Sequence, residues 1–321
     1  MQTRIMSMKA IRYIALFLIL LTPLILYYDA QGRRPLPIST EQDIFQGVHY
    51  ERRVTASPRP SVIHIMTVDL WMDGVTPLVT PNPIAPAIAE RQRVSIPAQK
   101  THDFLEEFGL QVAINANYFG EFREHTVWDF YPRVGDRVYV GGEAISNGDR
   151  YGTPRESRPA VCFRRTLPVE RYTAYIAFDG TCPSDTEQAV SGRDVLVEQG
   201  RPRLTFPDES PEKPYPRTAL GSDRTGQKIW LVVVDGKQPL YSEGLTLTEL
   251  AALFQELGAE RAIALDGGGS ATLAVGRNSK GVVLNAPIHT KWPMRERPVA
   301  NHLGFYALPI LDDIRVCFKT S

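Results

Sequence analysis

Residues Arg261 to Thr272 read Arg-Ala-Ile-Ala-Leu-Asp-Gly-Gly-Gly-Ser-Ala-Thr, an apolar strand running into a carboxylate, three glycines and two hydroxyls. A carboxylate at a strand end is held still by the scaffold, and the glycines let a ligand approach the backbone closely. A plain hairpin competes with that reading, because Asp-Gly and Gly-Gly are turn dipeptides and Ala271 to Val275 could be the return strand. A nucleotide loop does not fit: no Gly-Lys-Ser/Thr follows the glycines, and no Gly-x-Gly-x-x-Gly opens a helix here. Asp235 has an equivalent setting, following the apolar, β-branched run Lys228 to Val234 and preceding Gly236. In a parallel pair the two aspartates would share one sheet edge, where two carboxylates suit acid or base chemistry. Asp266 is the first candidate for the catalytic carboxylate and Asp235 the second.

The elements that must position these residues are legible around them. Thr246-Leu-Thr-Glu249 has the form of a capping box, and Leu247, Leu250, Ala251, Phe254 and Leu257 recur at helical spacing up to Gly258, a natural stop. Ser61 to Leu70 reads as a strand, Thr101 to Phe108 as a short helix with Phe104, Leu105 and Phe108 on one face, and a further strand ends in Asn115. More strands are expected at Ala160 to Arg164, Tyr172 to Phe178, Asp194 to Val197, Ala219 to Gly221 and Val282 to Leu284, and the Pro-rich Pro202 to Pro216 is a loop that delivers Arg217. Strands outnumber helices, so the expected fold class is α+β, one large domain of mixed β-sheets with few helices.

Arg217-Thr-Ala-Leu-Gly221, Val234-Asp-Gly236, Gly244-Leu-Thr-Leu-Thr-Glu-Leu250, Leu265-Asp-Gly-Gly-Gly-Ser-Ala-Thr272 and Arg297-Pro-Val-Ala-Asn301, in that order, resemble the signature of the phosphodiester glycosidase family. Upstream, Ala113-Ile-Asn-Ala-Asn-Tyr-Phe119 is similar to that family's Asn-Gly-Gly-Phe-Phe segment, with Ala116 and Asn117 where many relatives have glycines. The resemblance runs from about Ile44 to Leu308, and five ordered elements are far more specific than any one of them. It implies a hydrolase that cleaves the glycosidic bond between a sugar and a phosphodiester-linked group, through an oxocarbenium-like state with a weakly basic phosphate leaving. It further implies Arg217 and Arg297 as guanidinium clamps on the phosphoryl oxygens. Gly267, Gly268, Gly269, Ser270 and Thr272 would hold the phosphate by backbone amides and hydroxyls, and Asn115, Asn117 and Asn301 would meet the substrate. Structural ion pairs are the alternative for the arginines. Glu243 is a weaker candidate, and His289 and His302 read as packed or surface histidines. No cofactor is required, while a divalent cation is compatible with the carboxylates. Between Gly120 and Arg158 a long stretch carries Trp128, Tyr131, Tyr139 and Tyr151, aromatics suited to sugar stacking or to loop packing.

The chain has 321 residues, 43% of them hydrophobic, enough for a sizeable core, and 36 basic side chains against 36 acidic ones. That neutral balance leaves no electrostatic footprint for nucleic acid. At the start, Arg4, Lys9 and Arg12 precede an apolar run from Tyr13 to Tyr28, the arrangement of a signal peptide or an N-terminal membrane anchor, so export is expected. Tyr28 suits a cleavage site after Ala30 poorly, which favours an uncleaved anchor, although about 16 residues is short of a span. The expected division is residues 1–30 as signal or anchor, 31–43 as linker, 44–310 as the catalytic domain and 311–321 as a tail. Cys162 and Cys182 are either bridged or free thiols, and Cys317 is left over. The competing class is a non-catalytic glycan-binding or exopolysaccharide-assembly protein on the same fold; a simple α-glycosidase is a further rival.

Overall fold

The structure is a computed structural model and describes residues 8–83, 94–120, 131–203 and 212–310. Strands dominate the described residues, accompanied by three α-helices at Met8–Gly32, Thr101–Phe108 and Leu247–Glu256, an α+β arrangement. The central sheet has eight strands, and its middle runs Ser61–Asp69, Lys228–Val234, Arg217–Ser222 and Arg261–Ala264 in space, each neighbour antiparallel. The strands leading to Asp235 and Asp266 therefore point the same way without pairing, which corrects the expected parallel pair. The cause is local: a tight turn with Gly226 at φ 72° folds Arg217–Ser222 and Lys228–Val234 into a hairpin, and the helical crossover lands Arg261–Ala264 on the hairpin's free edge. Both aspartates still leave the sheet where Arg217 enters it, since Arg217 lies opposite Val234 and Leu265 donates its amide to Thr218 at 2.8 Å.

The continuous apolar run in Lys228–Val234 results from cover on both faces. Trp230, Val232 and Val234 pack under the Leu247–Glu256 helix, while Ile229, Leu231 and Val233 face the main core with Leu220, Ile263, Ile114, Leu273 and Phe305. Side chains alternate across a strand, so a two-sided core makes every position apolar; each such burial contributes roughly 1.5–3 kcal/mol. The capping box forms as expected, with Thr246 Oγ1 accepting from the Glu249 amide at 3.1 Å and the Glu249 carboxylate from the Thr246 amide at 2.8 Å. Gly221 permits close approach of that helix, because a Cβ there would lie 2.6 Å from the Phe254 ring.

A second sheet runs Lys280–Val283, Leu273–Arg277, Val112–Asn115, His302–Tyr306 and Thr76–Val79, covered by Phe104 and Leu105 of the Thr101–Phe108 helix. A third contains Ile145–Ser146, Gln188–Ser191, Ala160–Thr166 and Arg171–Ala177. Cys162 and Cys182 are bridged, with their Cα atoms 5.7 Å apart, joining that sheet to the loop beyond it.

Two expectations change near the N-terminus. Thr40–Phe45 is a strand paired with Val48–Thr55, so part of the segment read as linker belongs to the central sheet; none of its residues is buried, which gives it little apolar alternation to read. The Met8–Gly32 helix contains Pro23, and among the described residues no helix is long and apolar enough to cross a membrane, so the anchor expectation is not supported. Its C-terminal end touches the body, with the Tyr27 ring 5.7 Å from that of Trp292. Arg4, Trp128, most of the Pro202 to Pro216 loop and the tail from 311 with Cys317 lie outside the described residues.

Candidate active site

The backbone at Asp266 is clamped between two sheets. Its amide donates to the Ala116 carbonyl at 3.0 Å and its carbonyl accepts from Asn115 Nδ2 at 2.5 Å. Asn115 Oδ1 accepts in turn from Thr218 Oγ1 at 2.9 Å and from the Thr272 amide at 3.1 Å, so one buried amide side chain ties both ends of the glycine loop to the central sheet. Asn117 and Asn301 extend this brace: their side chains bond to each other at 3.0 Å, and Asn117 also reaches Ser191, Gly141 and Glu143 backbone atoms. All three asparagines are buried with their polar atoms engaged, an arrangement that braces the loop.

Asp266 is a half-buried residue. Desolvation pushes its pKa up to about 6, opposed by the Ser270 hydroxyl and then by Arg297, Arg158 and Arg193. Arg297 donates from Nη1 to Ser270 Oγ at 3.2 Å and from Nε to His289 Nδ1 at 3.3 Å, and stacks over Tyr131 at 4.3 Å. A Cβ at position 269 would meet that guanidinium, so a side chain there would displace Arg297 from its place. Burial, with Arg297 and Arg295 beside it, pulls His289 down to about 3, so the imidazole is neutral and accepts the Arg297 bond. Arg217 is oriented by the Leu245 and Lys213 carbonyls at 3.0 and 3.3 Å and lies 5.5 Å over the Tyr215 ring; desolvation lowers its pKa.

Two further arginines escaped the sequence reading. Arg158 and Arg193 lie over the Tyr118 ring at 5.0 and 5.2 Å, and both act electrostatically on Asp266. Burial, and next the Asp266 charge, push the Tyr118 hydroxyl up to about 12. Neither arginine has a local spacing that marks it, and only Gly192, just before Arg193, hinted at a turn. Arg193 pairs with Asp194 at 3.2 Å; among the described residues Arg158, Arg217 and Arg297 have no carboxylate within 4.0 Å.

Asp235 reaches the same sheet edge but is sealed, with 1% exposure. Oδ1 accepts from the Ala286 amide at 2.8 Å and Asn285 Nδ2 at 3.0 Å, while Oδ2 meets His64 Nε2 at 3.2 Å and the Tyr241 hydroxyl at 3.5 Å. Both oxygens are engaged, and the same network braces the loop's exit, where Asn285 also bonds Ala271 and Leu273. In the loop itself the Gly268 amide is spent on the Pro216 carbonyl at 2.8 Å, and the buried Thr272 hydroxyl has no partner among the described residues. Gly267 packs on Pro216. Tyr151 is core, bonding the Thr80 carbonyl at 2.8 Å, and His302 is buried against Phe104.

A cavity of about 860 Å³ opens beside the loop, lined by Tyr131, Tyr215, Lys237, Glu243, Gly269 and Arg297 among others. A larger one, about 1230 Å³, shares Tyr131 and His289 with this region, and neither cavity is lined by Asp266, Arg158, Arg193 or Arg217. Among the described residues no cluster of three or more His, Cys, Asp or Glu side chains is arranged to hold a metal ion.

The profile of the family described as phosphodiester glycosidase matches residues 108–306, more than half of the chain and every element from Asn115 to Asn301. The chain belongs to the phosphodiester glycosidase family. Solved structures share the fold: a hypothetical protein from Synechocystis (TM-score 0.58, 15% identity, covering 85% of this chain and 64% of that one) and a Burkholderia pseudomallei K96243 protein with an exported-protein description (0.54, 15%, 80% and 76%). A third is the zebrafish N-acetylglucosamine-1-phosphodiester alpha-N-acetylglucosaminidase catalytic domain auto-inhibited by its pro-peptide (0.52, 19%, 87% and 92%). No curated protein matches the chain. At such identities these structures establish the fold alone.

Proposed function

We propose that this member of the phosphodiester glycosidase family is a hydrolase that cleaves the bond between a sugar's anomeric carbon and a phosphodiester, acting on an exported or cell-envelope glycan. The observation that carries the reading is Asp266: a desolvated carboxyl on a half-buried residue, within electrostatic reach of Arg297, Arg158 and Arg193, none of which forms an ion pair with it among the described residues. Such an arrangement suits a substrate that brings its own anion to the arginines while the carboxylate meets positive charge developing on the sugar. A pKa of about 6 lets Asp266 be ionised near neutrality yet basic enough to activate water. The phosphate monoester leaves as a weak base, so one carboxylate suffices, and Arg217 and Arg297 neutralise the departing charge. Tyr131 and Tyr215 beside the loop would stack on the sugar or its aglycone. Export is supported by the Cys162–Cys182 bridge, which oxidising compartments favour, and by the apolar N-terminal run.

The decisive assay compares free-sugar release from a synthetic sugar 1-phosphodiester and from the matching p-nitrophenyl glycoside. Turnover of the phosphodiester alone is expected. Equal turnover of both would make the chain a simple glycosidase, and binding of the phosphodiester without turnover would make it a glycan-binding protein.

A further inference from the structure

We infer that Glu243 selects the sugar, by accepting hydrogen bonds from its hydroxyls in the cavity beside the glycine loop. The inference rests on the phosphodiester reading and adds the residue that reads the sugar ring. Glu243 is the one carboxylate among the described residues that line this cavity, which it shares with Gly269 and Arg297. A tight hairpin carries it there: Gln238 bridges Ser242, which sets Lys237 opposite Glu243, and the Lys237 amide donates to the Glu243 carbonyl at 3.3 Å. The backbone is held on its other side as well. The Glu243 amide donates to the Pro60 carbonyl at 2.8 Å, and Gly244, at φ 101°, lies so close to the Tyr215 backbone that a Cβ there would overlap it.

Opposed lysine and glutamate side chains on such a hairpin stabilise each other when they pair. Here they do not pair. Lys237 adopts a left-handed backbone, φ 57°, and its Nζ donates to the Tyr215 hydroxyl at 2.6 Å. The Glu243 carboxylate is left on a half-buried residue with no hydrogen bond and no cation within 4.0 Å among the described residues, although Lys237, Lys291 and Arg297 line the same cavity. An ionised carboxylate only accepts hydrogen bonds, and the oxygens of a phosphodiester only accept too, so the phosphate cannot satisfy it. A sugar hydroxyl can, and it can accept from a further N–H of Lys237 at the same time. Arg297 and the glycine loop suit the anion, which leaves the hydroxyl-bearing ring for the Glu243 side. Tyr215 forms the wall between the two ends, its ring against Gly268, where a Cβ would lie 2.8 Å away, and its hydroxyl on Lys237.

Methyl phosphodiesters of glucose, galactose, mannose and N-acetylglucosamine 1-phosphate, each with its monodeoxy analogues, test this on the full chain. For the preferred sugar, Glu243→Ala should lower kcat/KM about thirtyfold, the size of a hydrogen bond to a charged group, and at least one deoxy analogue should lose comparably with the wild-type protein. Glu243→Ala should then cost that analogue less than about threefold, because the bond is already missing. Glu243→Gln keeps one acceptor oxygen and should restore part of the loss on the parent sugar. Equal loss by Glu243→Ala on the parent and on every deoxy analogue would overturn the inference, as would unchanged kinetics in that variant. Failure of the underlying reading looks different: no sugar is released from any phosphodiester, while the same coupling between Glu243 and one hydroxyl stands in affinities from titration calorimetry. Absence of binding by every probe would sink both.

Discussion

Asp235 and Asp266 both succeed buried strands of the central sheet, both precede glycine and both emerge on the edge where Arg217 enters, yet Asp235 collects four donors and Asp266 a single hydroxyl. The contrast arises in the residues C-terminal to each carboxylate. After Asp235 the chain turns back through Ser242, whose hydroxyl bonds the Asp235 carbonyl at 2.6 Å, and the Asn285-Ala286 segment closes over the side chain. After Asp266 come three glycines with no side chains to donate to it, so its carboxyl is left with the Ser270 hydroxyl and the charges of Arg297, Arg158 and Arg193. A carboxylate's chemistry thus depends on the supply of nearby donors, more than on its place at a strand end.

Three experiments would break or sharpen this contrast. The largest effect is expected from Asp266→Asn, which keeps the shape and removes the charge: turnover of the phosphodiester should fall about a hundredfold or more, with substrate binding largely kept. Near wild-type turnover would reduce the glycine loop to scaffold. Asp235→Asn should act through folding, because the Asn285 amide and the His64 ring lose a charged acceptor in a dry site. Breaking such a network costs about 3 kcal/mol, readable in urea unfolding, with turnover per folded molecule close to wild type. If the folded Asp235→Asn protein is as slow as Asp266→Asn, the two carboxylates share the chemistry after all. The smallest effect concerns pH. Asp266 holds its proton to about pH 6 when folded against 3.8 ordinarily, so between these values the folded chain binds more protons than the unfolded one. Its contribution to stability is full below about pH 4 and is lost as pH rises through about 6. The melting temperature of wild type relative to Asp266→Asn should therefore drop across that window while kcat/KM climbs, and a flat difference would mean that burial does not raise this carboxyl.

Much of the frame was legible because its signals are local. The Thr246–Glu249 capping box, the stop at Gly258 and the Thr101–Phe108 helix are written in contiguous residues, and the runs at Ser61–Asp69 and Lys228–Val234 are apolar throughout most of their length. The Thr40–Phe45 edge strand was missed because exposed strands carry little apolar alternation. Asn115, Asn117 and Asn301 sit in motifs that drew attention to them, but a motif cannot distinguish a residue that touches a ligand from one that braces the loop that does.

The sequence by itself determined the α+β composition, the carboxylate-glycine loop at the end of an apolar strand, and the family to which that loop belongs. Tertiary structure alone decided that Arg158 and Arg193 join Arg297 around Asp266, that Asp235 is sealed, and that Cys162 bonds Cys182. The physical reason is range. Strand and helix patterns are enforced by neighbours a few residues away, whereas burial, ion pairing and pKa depend on groups about a hundred residues distant in the chain, as with Arg158 and Asp266, and nothing in either segment alone records the approach of the other.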